Sequence, residues 1–141
     1  MMARMLVDEC GRDMSEPSSK SAPVVLVVDD DASMRTLLEI YFSAWGWRVL
    51  LAACGDEALQ LAAAHPETRL LLLDVVMSGV SGQDLADRSK TILPNVRIFF
   101  CSGHPASALA GMGIDVAPEQ FLQKPCRPAD LKQKVDALLR L

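Results

Sequence analysis

The sequence has no closely spaced cysteines. Its four, Cys10, Cys54, Cys101 and Cys126, form no Cys-x-x-Cys and no Cys/His pairing, so they do not supply the ligand spacing of a zinc site. No uninterrupted apolar run approaches the roughly 18 residues that a membrane span requires. The first twenty-two residues carry Arg4, Asp8, Glu9, Arg12, Asp13, Glu16 and Lys20 among Ser, Pro and Gly. These charges break any secretory apolar core, so free thiols in a reducing cytoplasm are expected. Positive charge is also short: the net charge is −4, which gives no electrostatic footprint for nucleic acid or an anionic membrane. What remains, 141 residues with 50% hydrophobic, is the size and makeup of a single domain with a real core. The expected organisation is a flexible tail over 1–22 and one domain over 23–141, with no room for a second.

The apolar residues fall into short runs separated by helical patterns. Val24–Val28 is a continuous β-branched run of the kind buried on both faces of a parallel sheet. A helix follows with Met34, Leu37, Leu38, Tyr41 and Trp45 on one face, stopped at Gly46. Arg48–Ala52 reads as a second strand. Asp56 is placed to cap a second helix with Ala58, Leu59, Leu61 and Ala62 inward, ended by His65-Pro66. Leu70–Leu73, closed by Asp74, is a third strand; Gly79 and Gly82 mark a loop; Gln83–Ile92 is a third helix, ended by Pro94. Val96–Cys101 is a fourth strand, Ala106–Gly111 a short helix, and Phe121–Gln123 a fifth strand. Pro128 opens a last helix with Leu131, Val135, Leu138 and Leu139 inward. Alternation of this kind predicts an α/β fold with a parallel sheet.

In such sheets, sites form beyond the carboxyl ends of the strands. That rule gathers Asp29, Asp30 and Asp31 after the first strand, Asp74 after the third, Ser102 after the fourth and Lys124 after the fifth. Crowded carboxylates repel one another unless a divalent cation neutralises them, and all-oxygen ligands point to a hard ion such as Mg²⁺. Such an ion awaits phosphate oxygens, a neighbouring Asp can attack phosphorus, and a Lys and a Ser hydroxyl can stabilise the transferred group.

Four motifs in order, VLVVDDDASMR around Val25–Arg35, LLLLDVVMSGVSG over Leu70–Gly82, FFCSG over Phe99–Gly103 and FLQKP over Phe121–Pro125, resemble the receiver domains of two-component response regulators. The resemblance covers about Val24 to Leu141. It implies a flavodoxin-like, doubly wound, five-stranded parallel sheet of order 2-1-3-4-5 with about five helices. It implies Asp74 as phosphoacceptor, with Asp29, Asp30, Asp74 and the Val76 backbone carbonyl holding Mg²⁺. It implies Ser102 as the switch hydroxyl, Lys124 as the site lysine followed by a cis Pro125, and Phe121 as the aromatic that turns inward on activation. The implied donor is a histidine kinase or histidine phosphotransfer protein. The implied output is a contact with a downstream protein through the face formed by the fourth strand, fourth helix and fifth strand. The chain would then be a cytoplasmic phosphoprotein without enzyme turnover of its own, monomeric or weakly dimeric, binding neither nucleic acid nor membrane.

The sequence departs from the family pattern at Ser78, where Pro is common, and at Cys126, where Phe is frequent. Val76 and His104 occupy the positions that tune water access, and an apolar Val76 predicts slow self-dephosphorylation. The SGHP…FLQKP pattern is more similar to receivers of hybrid kinases and small stand-alone receivers than to those of DNA-binding regulators. Two other readings stand beside this one. A haloacid-dehalogenase-like phosphatase would use Asp29-x-Asp31 with Ser102 and Lys124, but its further acidic pair would have to come from Asp130 and Asp136. A degenerate receiver would serve only as a dimerisation scaffold. Outside the constellation, the bland assignments are packing for Trp45, Trp47 and the cysteines, a helix end for His65, a surface loop for His104 and a helix N-terminal charge for Asp31.

Overall fold

In a computed structural model, residues 22–77, 80–114 and 116–140 are described, with the side chains of 76, 77, 80 and 81 left aside. The tail expected over 1–22, with Cys10, lies outside these residues apart from Ala22, as do Ser78 and Gly79. The apolar runs become five strands: β1 (Val24–Val28), β2 (Arg48–Ala52), β3 (Thr68–Asp74), β4 (Arg97–Ser102) and β5 (Phe121–Gln123). They form one sheet of order β2-β1-β3-β4-β5 in which every pairing is parallel. The helices are α1 (Ala32–Ala44), α2 (Gly55–Ala64), α3 (Gly82–Ile92), α4 (Ala106–Gly111) and α5 (Pro128–Leu139), with a 3₁₀ turn at Pro118–Gln120. This is the doubly wound order 2-1-3-4-5 with five helices.

The two-residue period of a strand explains why the central runs are apolar throughout. Leu71 and Leu73 join Leu26, Val28, Ile98 and Phe100 on one side of the sheet, under α2, α3 and α4 through Ala58, Ala62, Leu85 and Leu109. Leu70 and Leu72 join Val25, Val27, Phe99 and Cys101 on the other, under α1 and α5 through Leu38, Phe42, Leu131 and Val135. An alternating sequence would have exposed one of these two faces.

Several local expectations shift. On α1 the buried pair is Leu38 and Phe42, while Leu37 is 38% exposed, because the inward stripe follows the four-residue step from Leu38 rather than Leu37. Phe42 also meets Trp45 and Trp47 edge-on, at centroid distances of 5.1 and 5.5 Å, so both tryptophans are packing residues. Helix α2 is capped from Cys54, not Asp56. Asp56 lies in the first turn, while the Ala53 N–H donates to Glu57 Oε1 at 2.7 Å, in the manner of a capping box. Cys54 is exposed rather than packed. Strand β4 starts and ends one residue later than expected, since the Val96 N–H closes a turn onto the Leu93 carbonyl and pairing begins at Arg97. Ser102 is therefore the last residue of β4. The loop expected after Asp74 contains an antiparallel ribbon, Val76–Met77 against Val80–Ser81, and Gly82 opens α3. Gly46, at φ +90°, turns the chain out of α1 in the left-handed region that favours glycine.

Candidate functional site

The carboxyl edge of the sheet brings the acidic residues together. Asp29 continues β1 by one residue, its N–H donating to the Ala52 carbonyl at 3.2 Å. Asp74 is the terminal residue of β3. One carboxylate oxygen from each of Asp29, Asp30 and Asp74 lies within 4.8 Å of the others. Asp29 and Asp74 are buried, at 1% and 9% exposure, whereas Asp30 is exposed and opens the cluster to solvent. Asp31 is not part of it. It is the N-cap of α1, its Oδ1 accepting from the Ser33 N–H at 2.9 Å.

Lys124, the first residue after β5, closes the cluster from the far side of the sheet. Its Nζ donates to Asp29 Oδ2 at 2.8 Å and to Asp74 Oδ2 at 3.3 Å. Burial pulls the ammonium pKa down, but the hydrogen bond and charge of Asp29, with those of Asp74, outweigh it and hold Lys124 above the ordinary lysine value. Lys124 is fixed by the chain around it: its N–H donates to the Ser102 carbonyl at 2.7 Å, and the Lys124–Pro125 peptide is cis. Ser102 is fully buried, and its Oγ accepts from the His104 N–H at 3.0 Å, which leaves the hydroxyl proton to donate elsewhere. The His104 residue is exposed.

Two residues that hold the site were not singled out from the sequence. Arg35, one turn into α1, donates from Nη1 to the Asp29 carbonyl at 2.7 Å and so braces the acid loop; its position at the end of the first motif was the available signal. Gly82 donates its N–H to the Val75 carbonyl at 2.9 Å, while the Val75 N–H donates to Cys101 across the sheet at 2.9 Å. The stretch after Asp74 is therefore held from both sides. Phe121 is 8% exposed and belongs to the same core cluster as Phe100 and Leu109. Burial raises the pKa of the thiols of Cys101 and Cys126, the latter aided by Asp130, which favours the protonated thiol in both.

The donor set fits a small divalent cation. Each clustered side-chain donor is a carboxylate oxygen, and three carboxylates against one ammonium leave two formal negative charges to be balanced. The phosphatase reading loses its parts. Asp31 is spent on the helix cap, while Asp130 pairs with Arg127 at 3.1 Å and Asp136 with Lys132 at 2.9 Å along α5, on exposed side chains.

The model of the response regulator receiver domain matches residues 25–136. The chain belongs to this family. The receiver is 32% identical over 119 residues to a probable transcriptional regulator, ycf27, of Cyanophora paradoxa, covering 82% of the chain and 48% of that protein. It is 32% identical over 118 residues to the transcriptional regulatory protein GltR of Pseudomonas aeruginosa, with the same coverages. The chain thus spans about half the length of the curated relatives it matches. Among solved structures, it is similar to the receiver domain of the hybrid histidine kinase CckA, at 30% identity and TM-score 0.68 over 82% of this chain and 98% of that one. It is similar also to CheY of Borrelia burgdorferi, in a complex with CheX, BeF₃ and Mg²⁺, at 25% identity and TM-score 0.71 over 82% and 88%. No helix among the described residues is long and apolar enough to cross a membrane.

Proposed function

We propose that residues 23–141 act as a phosphoaccepting receiver in which Asp74 takes a phosphoryl group from the phosphohistidine of a sensor kinase or phosphotransfer protein. The observation that carries this reading is the Lys124 ammonium bridging Asp29 and Asp74 within a cluster of three carboxylates. An Asp74 oxygen attacks phosphorus, a P–O bond forms, the P–N bond breaks, and the donor imidazole leaves with that electron pair. Asp29, Asp30, Asp74 and the Val76 carbonyl would hold Mg²⁺, which supplies charge neutralisation for the phosphoryl oxygens. Lys124 sits where it can follow the new charge on Asp74. The Ser102 hydroxyl, its oxygen already committed to His104, keeps a proton to donate to the phosphoryl group. The similarity to a CheY whose complex contains BeF₃, a phosphoryl-like group, and Mg²⁺ supports this reading.

Phosphorylation would shift a two-state equilibrium, since contacts from Ser102 and Lys124 to the phosphoryl group exist in one state only. The readout would be a changed β4–α4–β5 face offered to a downstream protein in the cytoplasm, with no direct contact to nucleic acid. Incubation with acetyl phosphate and Mg²⁺ tests the reading. An acid-stable, base-labile adduct is expected on the wild-type chain and not on Asp74→Asn. Retention in Asp74→Asn with loss in Asp29→Asn would move the chemistry to the first strand and overturn it.

A further inference from the structure

We propose that Gly82 is a positioning residue that sets the metal selectivity of the acid cluster, favouring Mg²⁺ over Ca²⁺; this rests on the metal-binding reading above. An ideal Cβ on Gly82 would lie 2.7 Å from Val75 Cα, 2.8 Å from Val75 O and 3.0 Å from Asp74 O. All three neighbours are backbone, so no side chain can rotate away to make room. The first residue of α3 is therefore seated directly on the peptide that joins Asp74 to Val75, and its N–H donates to the Val75 carbonyl at 2.9 Å. On the other side, the Val75 N–H is held by Cys101 of β4 at 2.9 Å. This clamp lies between two elements of the site: the Asp74 carboxylate, one residue before Val75, and the Val76 carbonyl, one residue after it.

A methyl group at position 82 has to displace either α3 or the 74–76 backbone by several tenths of an ångström. The two cations differ in how they respond to such a shift. Mg²⁺ demands near-ideal octahedral geometry at about 2.0–2.1 Å, whereas Ca²⁺ accepts about 2.3–2.6 Å with variable coordination number. A displaced ligand pair penalises the smaller ion more. A glycine that only filled space would, on replacement, weaken both ions alike or neither.

Isothermal titration of the full chain with MgCl₂ and with CaCl₂ tests this. For Gly82→Ala, the Mg²⁺ dissociation constant is expected to rise about tenfold, in the range for residues that orient metal ligands, with the Ca²⁺ constant moving less than about threefold. Gly111→Ala, where nothing lies within 4 Å of an added Cβ, is expected to leave both constants unchanged. Should Gly82→Ala fail to fold, Leu85→Val provides the second variant. It loosens the seat of α3 from its fully buried anchor without adding an atom against Val75; a preferential loss of Mg²⁺ affinity is expected there too, and equal losses for the two ions or none in folded Leu85→Val would overturn the proposal. Unchanged Mg²⁺ affinity in a folded Gly82→Ala chain, or equal losses for the two ions, would overturn the proposal. A wild-type chain that takes up no Mg²⁺ would instead overturn the metal-binding reading on which it rests.

Discussion

Lys124 bridges the two buried carboxylates of the site, Asp29 and Asp74. Its ammonium, 15% exposed, faces an Asp29 side chain that is 2% exposed, so removing it strands a buried carboxylate. Lys124→Met is expected to cost about 3 kcal/mol in urea titrations run in EDTA, the lower end for breaking a buried ion pair. Lys124→Met with Asp29→Asn should recover part of that loss, because the uncompensated charge is gone; a double variant no more stable than the single one would refute this. The pH dependence follows from the sign of the shift. A lysine whose folded pKa lies above its unfolded value contributes fully below the unfolded value, 10.5, and loses that contribution as pH rises through the folded pKa. The stability gap between wild type and Lys124→Met is therefore expected to be flat from neutral pH to about 10 and to close above 10.5, as read from denaturation midpoints. Asp29, Asp74, Ser102 and Lys124 were legible in the sequence because each directly ends or follows an apolar strand run. Gly82 was not, because the close approach that requires a glycine joins two elements and leaves no local pattern. Arg35 was overlooked for a similar reason: its partner is a main-chain carbonyl, which no residue type announces.

Among the elements, the strands could be read best. Buried on both faces, β1 and the Leu70–Leu73 stretch of β3 are unbroken apolar runs, and no helix pattern competes with them. Their ends were less legible: Thr68 joins β3 although its side chain is polar, its Oγ1 donating to the His65 carbonyl at 2.7 Å. Helix faces are legible to within one position: the apolar pattern points Leu37 inward, whereas Phe42 is the buried partner of Leu38. Phe42 anchors α1 to the sheet and to both tryptophans, so Phe42→Ala is expected to destabilise the fold by about 3–5 kcal/mol. The same change should shift tryptophan emission to longer wavelength as Trp45 and Trp47 lose their partner. An unshifted spectrum with unchanged stability would mean that α1 is held by other contacts.

For the whole molecule, the acid cluster concentrates negative charge that a cation would neutralise, so the proposed Mg²⁺ binding would be linked to folding. At a Mg²⁺ concentration about 100 times its dissociation constant the native state should gain about 2.7 kcal/mol. For a domain of this size that is a rise in Tm of roughly 10 °C, measurable by scanning calorimetry. Asp30→Asn, which takes one negative charge from the solvent-facing side of the proposed site, should reduce the rise at the same Mg²⁺ concentration; an undiminished rise would place the ion elsewhere. Fold class was legible at this scale because strand–helix alternation constrains topology strongly, whereas the length of the native protein and its partners are not encoded in the packing of one domain. The lysine bridge has one further consequence, for the order of events during synthesis. Lys124 lies 95 residues after Asp29 and 50 after Asp74, so the two buried acids are synthesised before their counter-charge. Ionic closure of the edge must then be a late step, made when β5 docks beside β4. A chain stopped at Gln120 is expected to run as an expanded species in size-exclusion chromatography, and a compact fragment would show that closure is not what completes the fold.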